Sequence, residues 1–253
     1  MEGLVASTDE LKGRVDRFLA SGARGEEARA MIDNLNAIGP VGIFGGMLRD
    51  IARLGSEGFS SDIDLVVDGP SESLARIFAG HSAVRNRFGG YRVYGQHAQF
   101  DVWSLHDTWA IKQGFVSASS LADLTKTTFF DWDAAVYEPH INVLHSLGDY
   151  LTRLRSGVVT INLEPNPNPL GAVARTLRLL VDWEVGLSEQ LVEFLWQNLS
   201  AHDRSQLVEA QKLTIGRVPL KKQSIRRLLR DLSNRDFFDQ TFWHERSKKP
   251  SAF

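Results

Sequence analysis

Cysteine is absent from the 253 residues, and methionine appears only three times. Without cysteine there is no disulfide framework, no thiolate zinc site and no thiol nucleophile, a composition that suits a reducing compartment. No apolar run approaches the roughly 18 residues that span a bilayer. The opening Met1-Glu-Gly-Leu-Val5 lacks the basic flank and apolar stretch of a secretion signal. These features read as a cytoplasmic protein with no membrane contact. Internal repeats and low-complexity tracts are missing too, and so are a His-Glu-x-x-His pair, a Gly-x-Ser-x-Gly elbow, a P-loop and a Gly-x-Gly-x-x-Gly turn. What remains is ordinary globular material, 43% hydrophobic and 24% charged, enough for one large domain or two small ones. The net charge of −2 is unevenly spread. Residues 201–253 hold 12 Lys/Arg against 6 Asp/Glu, so the preceding part is acidic.

The pattern predicts an α+β protein in three stretches. Residues 1–37 read as helices: Ser7 and Glu10 make a capping box, Leu11, Val15, Phe18 and Leu19 recur at helical spacing, Gly22 breaks the run, and a second helix covers Glu26 to Leu35. Residues 38–146 read as a mixed sheet flanked by helices. Strands are expected at Val41 to Phe44, Asp62 to Val67, Tyr91 to Tyr94 and Gln99 to Ser104, the last two about a turn at Gly95, with helices near Met47 to Leu54 and Glu72 to Ala79. Residues 147–253 read as helical, with a Pro-rich bridge at Leu163 to Pro169 and helices marked by Val173, Leu177, Leu180 and Val181, by Leu191, Leu195 and Leu199 after the Ser188 cap, and by Pro219 to Leu232.

Chemistry concentrates in Phe44-Gly-Gly-Met-Leu-Arg-Asp50 and Asp62-Ile-Asp64-Leu-Val-Val67. Strand alternation sends Asp62 and Asp64 to one face and Ile63, Leu65 and Val67 to the other. Two like charges side by side repel unless solvated or bridged by a cation, and Mg²⁺ prefers oxygen ligands. An isolated Asp-x-Asp is expected about once by chance in a chain this long. The preceding Gly45-Gly46, at the end of a strand and the start of a helix, adds bare N–H groups that suit a phosphate. Asp101, in Gln99-Phe-Asp-Val-Trp103, converges on the pair if its strand is the neighbour of theirs; otherwise it is a polar residue on a half-buried strand. Three such carboxylates are what two-metal transfer of a nucleotide from an NTP requires.

The run Gly45-Gly-Met-Leu-Arg-Asp50 with Asp62-Ile-Asp64 resembles the Gly-Gly-x-Val-Arg-Asp and Asp-x-Asp signature of the head domain of bacterial poly(A) polymerases and CCA-adding tRNA nucleotidyltransferases, in the DNA polymerase beta superfamily. Phe88-Gly-Gly-Tyr-Arg-Val93 with Phe100-Asp-Val102 looks like the hairpin carrying that family's third acidic residue. Phe130-Asp-Trp-Asp-Ala-Ala135 is similar to its Phe-Thr-Ile-Asn-Ala segment, Leu147-Gly-Asp149 to its Gly-Leu-x-Asp-Leu turn, and Arg175-Thr-Leu-Arg178 to its neck helix. The likeness covers roughly residues 38–183.

The resemblance implies a nucleotidyltransferase-type sheet followed by a helical neck. Asp62, Asp64 and Asp101 would be the catalytic, Mg²⁺-binding carboxylates, and Gly45, Gly46, Arg49, Lys126, Asp133, Arg175 and Arg178 the nucleotide-binding positions. A surface ion pair explains Arg49 and Asp50 as well. Lys126 either replaces a phosphate-binding arginine or is a solvated loop lysine, and Arg178 either faces the nucleotide or pairs with Asp182. The chain departs from the family where Arg-Arg-Asp gives way to Lys126-Thr-Thr-Phe129, and where Asp133 stands for the Asn. The Glu-Asp-x-x-Arg motif is not visible and about 70 residues follow the neck, so a full CCA-adding cycle is not expected.

Lys222, Arg226 and Arg230 form one stripe on the last helix, suited to a phosphate backbone or simply to solvent. The aromatic group Phe237, Phe238, Phe242 and Trp243 either stacks on bases or anchors the tail. The expected activity is transfer of NMP from an NTP such as ATP or CTP to the 3′ hydroxyl of an RNA, tRNA foremost. Transfer to a small molecule or protein, and a degenerate RNA-binding head domain, are the alternatives.

Overall fold

The computed structural model describes residues 3–59, 61–79, 82–86, 88–218, 220, 221, 224, 225, 227 and 228. The chain divides into two compact units, Met1–Ser156 and Gly157–Phe253.

In the first unit, α1 (Thr8–Leu19) and α2 (Gly22–Leu35) precede the sheet. Ser7 caps α1 by accepting from the Glu10 N–H at 3.1 Å, while the Glu10 carboxylate reaches back to the Ala6 N–H rather than to Ser7. Helix α2 begins at Gly22 itself, four residues before the expected Glu26, and so includes Gly25 where it meets α1. A Cβ on Gly25 would stand 1.7 Å from the Phe18 carbonyl oxygen, so the absence of a side chain lets the two helices meet.

The sheet contains β1 (Val41–Phe44), β2 (Ile63–Val67), β3 (Ala83–Arg85), β4 (Tyr91–Tyr94), β5 (Gln99–Ser104), β6 (Ala135–Glu138) and β7 (Val143–Ser146). Their order is β3-β4-β5-β2-β1-β6-β7, with β2 and β5 parallel and every other pair antiparallel. Helices α3 (Gly46–Leu54) and α4 (Ser71–Phe78) were expected from the pattern; the short α5 (Trp109–Lys112) and α6 (Tyr150–Ser156) were not, and neither were β3, β6 and β7.

The alternation anticipated for β2 decides how the faces are used. Ile63, Leu65 and Val67, with Ile43, Phe100, Val102 and Tyr137 of neighbouring strands, are fully buried. They pack beneath the helices, where the burial of their apolar area stabilises the unit. On the opposite face Val66 and Val136 join Leu105, Leu121 and Leu124 in a smaller core, with Phe44 and Trp103 against it. That second core covers only part of the face; the other part carries the carboxylates.

The second unit holds α7 (Pro169–Asp182), α8 (Glu189–Ala201) and α9 (Arg204–Ile215), with a two-stranded parallel ladder of β8 (Val158–Val159) and β9 (Gly186–Leu187). Asn168, Ser188 and Asp203 cap the three helices. Val173, Leu177, Leu195, Leu199, Leu207 and Ile225 share one core. Fully buried Gln211 donates to the Leu207 and Leu220 carbonyls and accepts from the Leu220 N–H, fixing the chain beyond α9. Ile225 and Leu228 are buried, whereas most of the expected last helix, with Lys222, Arg226 and Arg230, and the aromatic tail lie outside the described residues. Among the described residues no helix is long and apolar enough to cross a membrane.

Candidate active site

Strand β1 ends at Phe44 and α3 begins at Gly46, and the joint is made by Gly45 with φ +71° and ψ −127°, a conformation that costs any L side chain heavily. The Gly45 N–H donates to Ala135 at 3.2 Å, holding the turn against β6. Ile43 lies opposite Leu65, so one residue further on Phe44 faces Asp64, and the glycine turn runs beside the start of β2. Gly45 and Gly46 are thereby brought to Asp62 and Asp64.

Asp101 completes the cluster. The parallel β2–β5 pairing puts Asp64 directly beside Asp101, about 4.8 Å apart by ordinary strand spacing, with both side chains on the face away from the helices. Asp62, just before β2, shares that face. The Asp101 side chain is 13% exposed and that of Asp62 43% exposed; Asp64 is half-buried.

The sequence reading did not single out the groups that hold these carboxylates. Arg92 on β4 lies across from Asp101. Its Nε and Nη2 donate to the two oxygens of Asp101 at 2.9 and 2.6 Å, and Nη2 is 3.5 Å from Asp62. Gln99 donates to the same Asp62 oxygen at 3.1 Å. Burial, then the neighbouring Asp101 charge, push the Asp62 carboxyl above its usual range, against the pull of Arg92 and Arg24. The hydrogen bond to Asp101 holds the Arg92 guanidinium above its ordinary value. Counting back from a tight turn at Gly95 would have paired residue 92 with 101, so a signal for Arg92 was present in the sequence.

Beside Asp62 opens a cleft of about 400 Å³ lined by Arg24, Ser61, Tyr94, His97 and Gln99. Its wall is built by α2. Arg24 donates to the carbonyls of Phe59 and Ser61 and lies over the Phe59 ring at 4.3 Å. Glu27 accepts from the N–H groups of Gln96, His97 and Ala98 at 2.7, 2.7 and 2.8 Å.

The remaining candidates are placed differently. Arg49 is buried against Asp50 and Asp133, with Nη2 3.3 Å from where a Gly46 Cβ would stand. Burial opposes its charge, but Asp133 and Asp50 outweigh that and keep it firmly protonated. Arg49 and Asp133 therefore brace the glycine turn from below. Lys126 is exposed and held by Asp123 at 2.7 Å. In the second unit Arg175 is exposed on α7, and Arg178 is 3.8 Å from Asp182, which also takes Arg217.

Mg²⁺ is the cofactor that the resemblance read from the sequence implies. Asp62 and Asp64 offer hard oxygen donors, partly exposed on one face, and so fit a divalent ion. Asp101 has both oxygens committed to Arg92. As the side chains lie, no three acidic or histidine groups among the described residues form a metal-sized cluster.

The seven-stranded mixed sheet flanked by helices, with carboxylates at one end and a glycine turn beside them, is a nucleotidyltransferase-type fold. Among solved structures the chain is similar to a Thermotoga maritima CCA-adding enzyme complexed with tRNA, at 14% identity and a TM-score of 0.59, over 92% of this chain and 58% of that one. It is likewise similar to a tRNA nucleotidyltransferase complexed with a primer tRNA and an incoming ATP analog (20% identity, TM-score 0.52, 79% and 59% covered). A tRNA-processing enzyme with CTP is a third such structure (19%, 0.54, 85% and 57%). The chain spans less than two thirds of the length of each. No family model and no curated protein sequence matches it.

Proposed function

We propose that the protein is a Mg²⁺-dependent nucleotidyltransferase that moves NMP from an NTP to the 3′ hydroxyl of an RNA, with the tRNA 3′ end as the foremost acceptor. The observation that carries this reading is the placement of Asp62 and Asp64 on one strand face, beside the Gly45-Gly46 turn and in register with Asp101. Likeness in fold to structures bearing tRNA, CTP and an ATP analog supports the choice of acceptor and donor.

On this reading the N–H groups at the start of α3 bind the triphosphate, and Arg49 and Asp133 act on the nucleotide through the turn they brace. Asp62 and Asp64 hold the metal, and Asp101 serves as third ligand or as base for the acceptor hydroxyl once Arg92 releases it. A divalent ion held by Asp62 and Asp64 would supply acidification of the attacking hydroxyl and compensation of the charge on the transferred phosphate. The acceptor oxygen forms its bond to the α-phosphorus as the bond to the bridging oxygen breaks, and the hydroxyl proton leaves through Asp101 or solvent. Lys126 supplies further positive charge for the phosphates after parting from Asp123. Lys222, Arg226 and Arg230 are assigned to the RNA backbone, a role that makes binding salt-dependent.

The test is incubation with Mg²⁺, each α-labelled NTP in turn and total cellular RNA, beside the Asp62→Ala/Asp64→Ala protein. Label on an RNA band that the double variant does not produce supports the reading and names the base and acceptor class. Label on a protein or small product moves the assignment to those acceptors, and no label with any NTP overturns the enzyme reading.

A further inference from the structure

Arg92 and a divalent cation would want the same atoms. Both oxygens of Asp101 already accept from Arg92, and the guanidinium that holds them also reaches Asp62. Such a fork is the strongest geometry an arginine has for a carboxylate. It answers an electrostatic need, since Asp62, Asp64 and Asp101 lie on one face and repel one another without a cation among them.

We infer that Arg92 is a resident cation of the carboxylate cluster, displaced when a divalent ion binds, and that it thereby sets the metal affinity of the site. The inference rests on the assignment of Asp62 and Asp64 as metal ligands. Arg92 is placed to give way. Its side chain is 42% exposed, with an open path to solvent, whereas Arg49, the other arginine paired with aspartates nearby, is 11% exposed and locked between Asp50 and Asp133. A guanidinium stays charged at every pH the protein tolerates. The exchange is therefore governed by metal concentration and not by deprotonation of Arg92. Arg92 acts through Asp101 and Asp62, and is a positioning residue.

The test reads Mn²⁺ binding to the full chain without nucleotide, from the loss of the free-ion paramagnetic resonance signal. Arg92→Gln is expected to bind Mn²⁺ about tenfold more tightly than the unaltered protein, the scale of one charged hydrogen bond no longer to be broken. Asp101→Asn alone should change affinity little, because the carboxylate it removes from the metal is offset by the Arg92 fork that no longer has to be broken, but should weaken binding clearly in the Arg92→Gln background. Arg92→Lys, which keeps the charge without the fork, should fall between, and it carries the test if Arg92→Gln does not fold. Equal or weaker binding by folded Arg92 variants overturns the inference. If binding is also abolished by Asp62→Ala, the metal-site assignment survives that failure; absence of Mn²⁺ binding from every variant overturns both.

Discussion

Replacing Glu27 by glutamine should destabilise the protein at neutral pH and cease to matter in acid. The Glu27 carboxylate takes three N–H groups of the turn joining β4 to β5, one on Oε1 and two on Oε2. An amide can accept on one side only and presents a donor to the other, so at least one turn N–H loses its partner. Gln96 and His97 are exposed, and water replaces part of what they lose, but Ala98 is 8% exposed. A hydrogen bond to a charged acceptor contributes about 1.5–3 kcal/mol net when buried. With solvent screening at two of the three donors, a total loss of about 1–2 kcal/mol is expected.

The effect of Glu27 depends on pH. Burial alone would raise the Glu27 carboxyl, yet the three backbone donors together outweigh it and hold it below the usual glutamate value. A depressed folded pKa contributes stability that is fully present above the unfolded value of about 4.3 and is lost as pH falls through the folded value. Urea titrations of the parent and Glu27→Gln should thus show separate midpoints at pH 7 that draw together once pH drops below about 4. A separation that persists unchanged at pH 3, or is absent at pH 7, would refute the claim that the charged carboxylate clasps this turn.

Two further substitutions probe the site's balance of charge. Asp62→Asn should abolish transfer while raising the melting temperature slightly at pH 7. Burial and the Asp101 charge raise the Asp62 carboxyl, so its ionised form costs stability that is regained as pH falls below its folded value; a lowered melting temperature would contradict this. Arg49→Met should cost about 3–5 kcal/mol, because Asp50 and Asp133 are left buried without their cation. Chemical denaturation measures that loss, and a variant as stable as its parent would show that Arg49 braces nothing.

The parts of the site that could be read from the sequence are those governed by period two. Asp62 and Asp64 alternate with Ile63 and Leu65, and burial follows that alternation at these four positions; Asp101 alternates in face with Phe100 and Val102 but is itself buried against Arg92. The glycine pair marked a strand-to-helix joint because its φ of +71° has few other occupants. Period and turn chemistry do not show which strands become neighbours. The crossover that lays β5 beside β2, and the edge position of β3, depend on tertiary packing and not on local signal. Strands β6 and β7 are as short as β1 and β4, but neither is followed directly by a glycine, as β1 is by Gly45 and β4 by Gly95, to mark where it ends. Arg49 illustrates the opposite limit. A motif match pointed it at the nucleotide, but its burial arises from Asp133, 84 residues away.

Glu27, Arg92 and Asp101 explain why helices outside the motif-bearing stretch matter to its chemistry. Asp101 needs a cation, Arg92 provides one from the neighbouring strand, and the pair is held in register by the β4–β5 turn. Glu27 grips that turn from α2, while Arg24, one turn earlier on the same helix, fixes the segment leading into Asp62. One helix thus tethers both chain segments that deliver carboxylates to the cluster. Loosening α2 should disturb Asp62 and Asp101 together, although no residue of α2 belongs to the motifs that pointed to the site. Glu27→Gln should accordingly weaken Mn²⁺ binding as well as stability, under conditions where the protein remains fully folded. Mn²⁺ affinity equal to the parent's in that variant would mean that the hairpin holds its register without help from the helix.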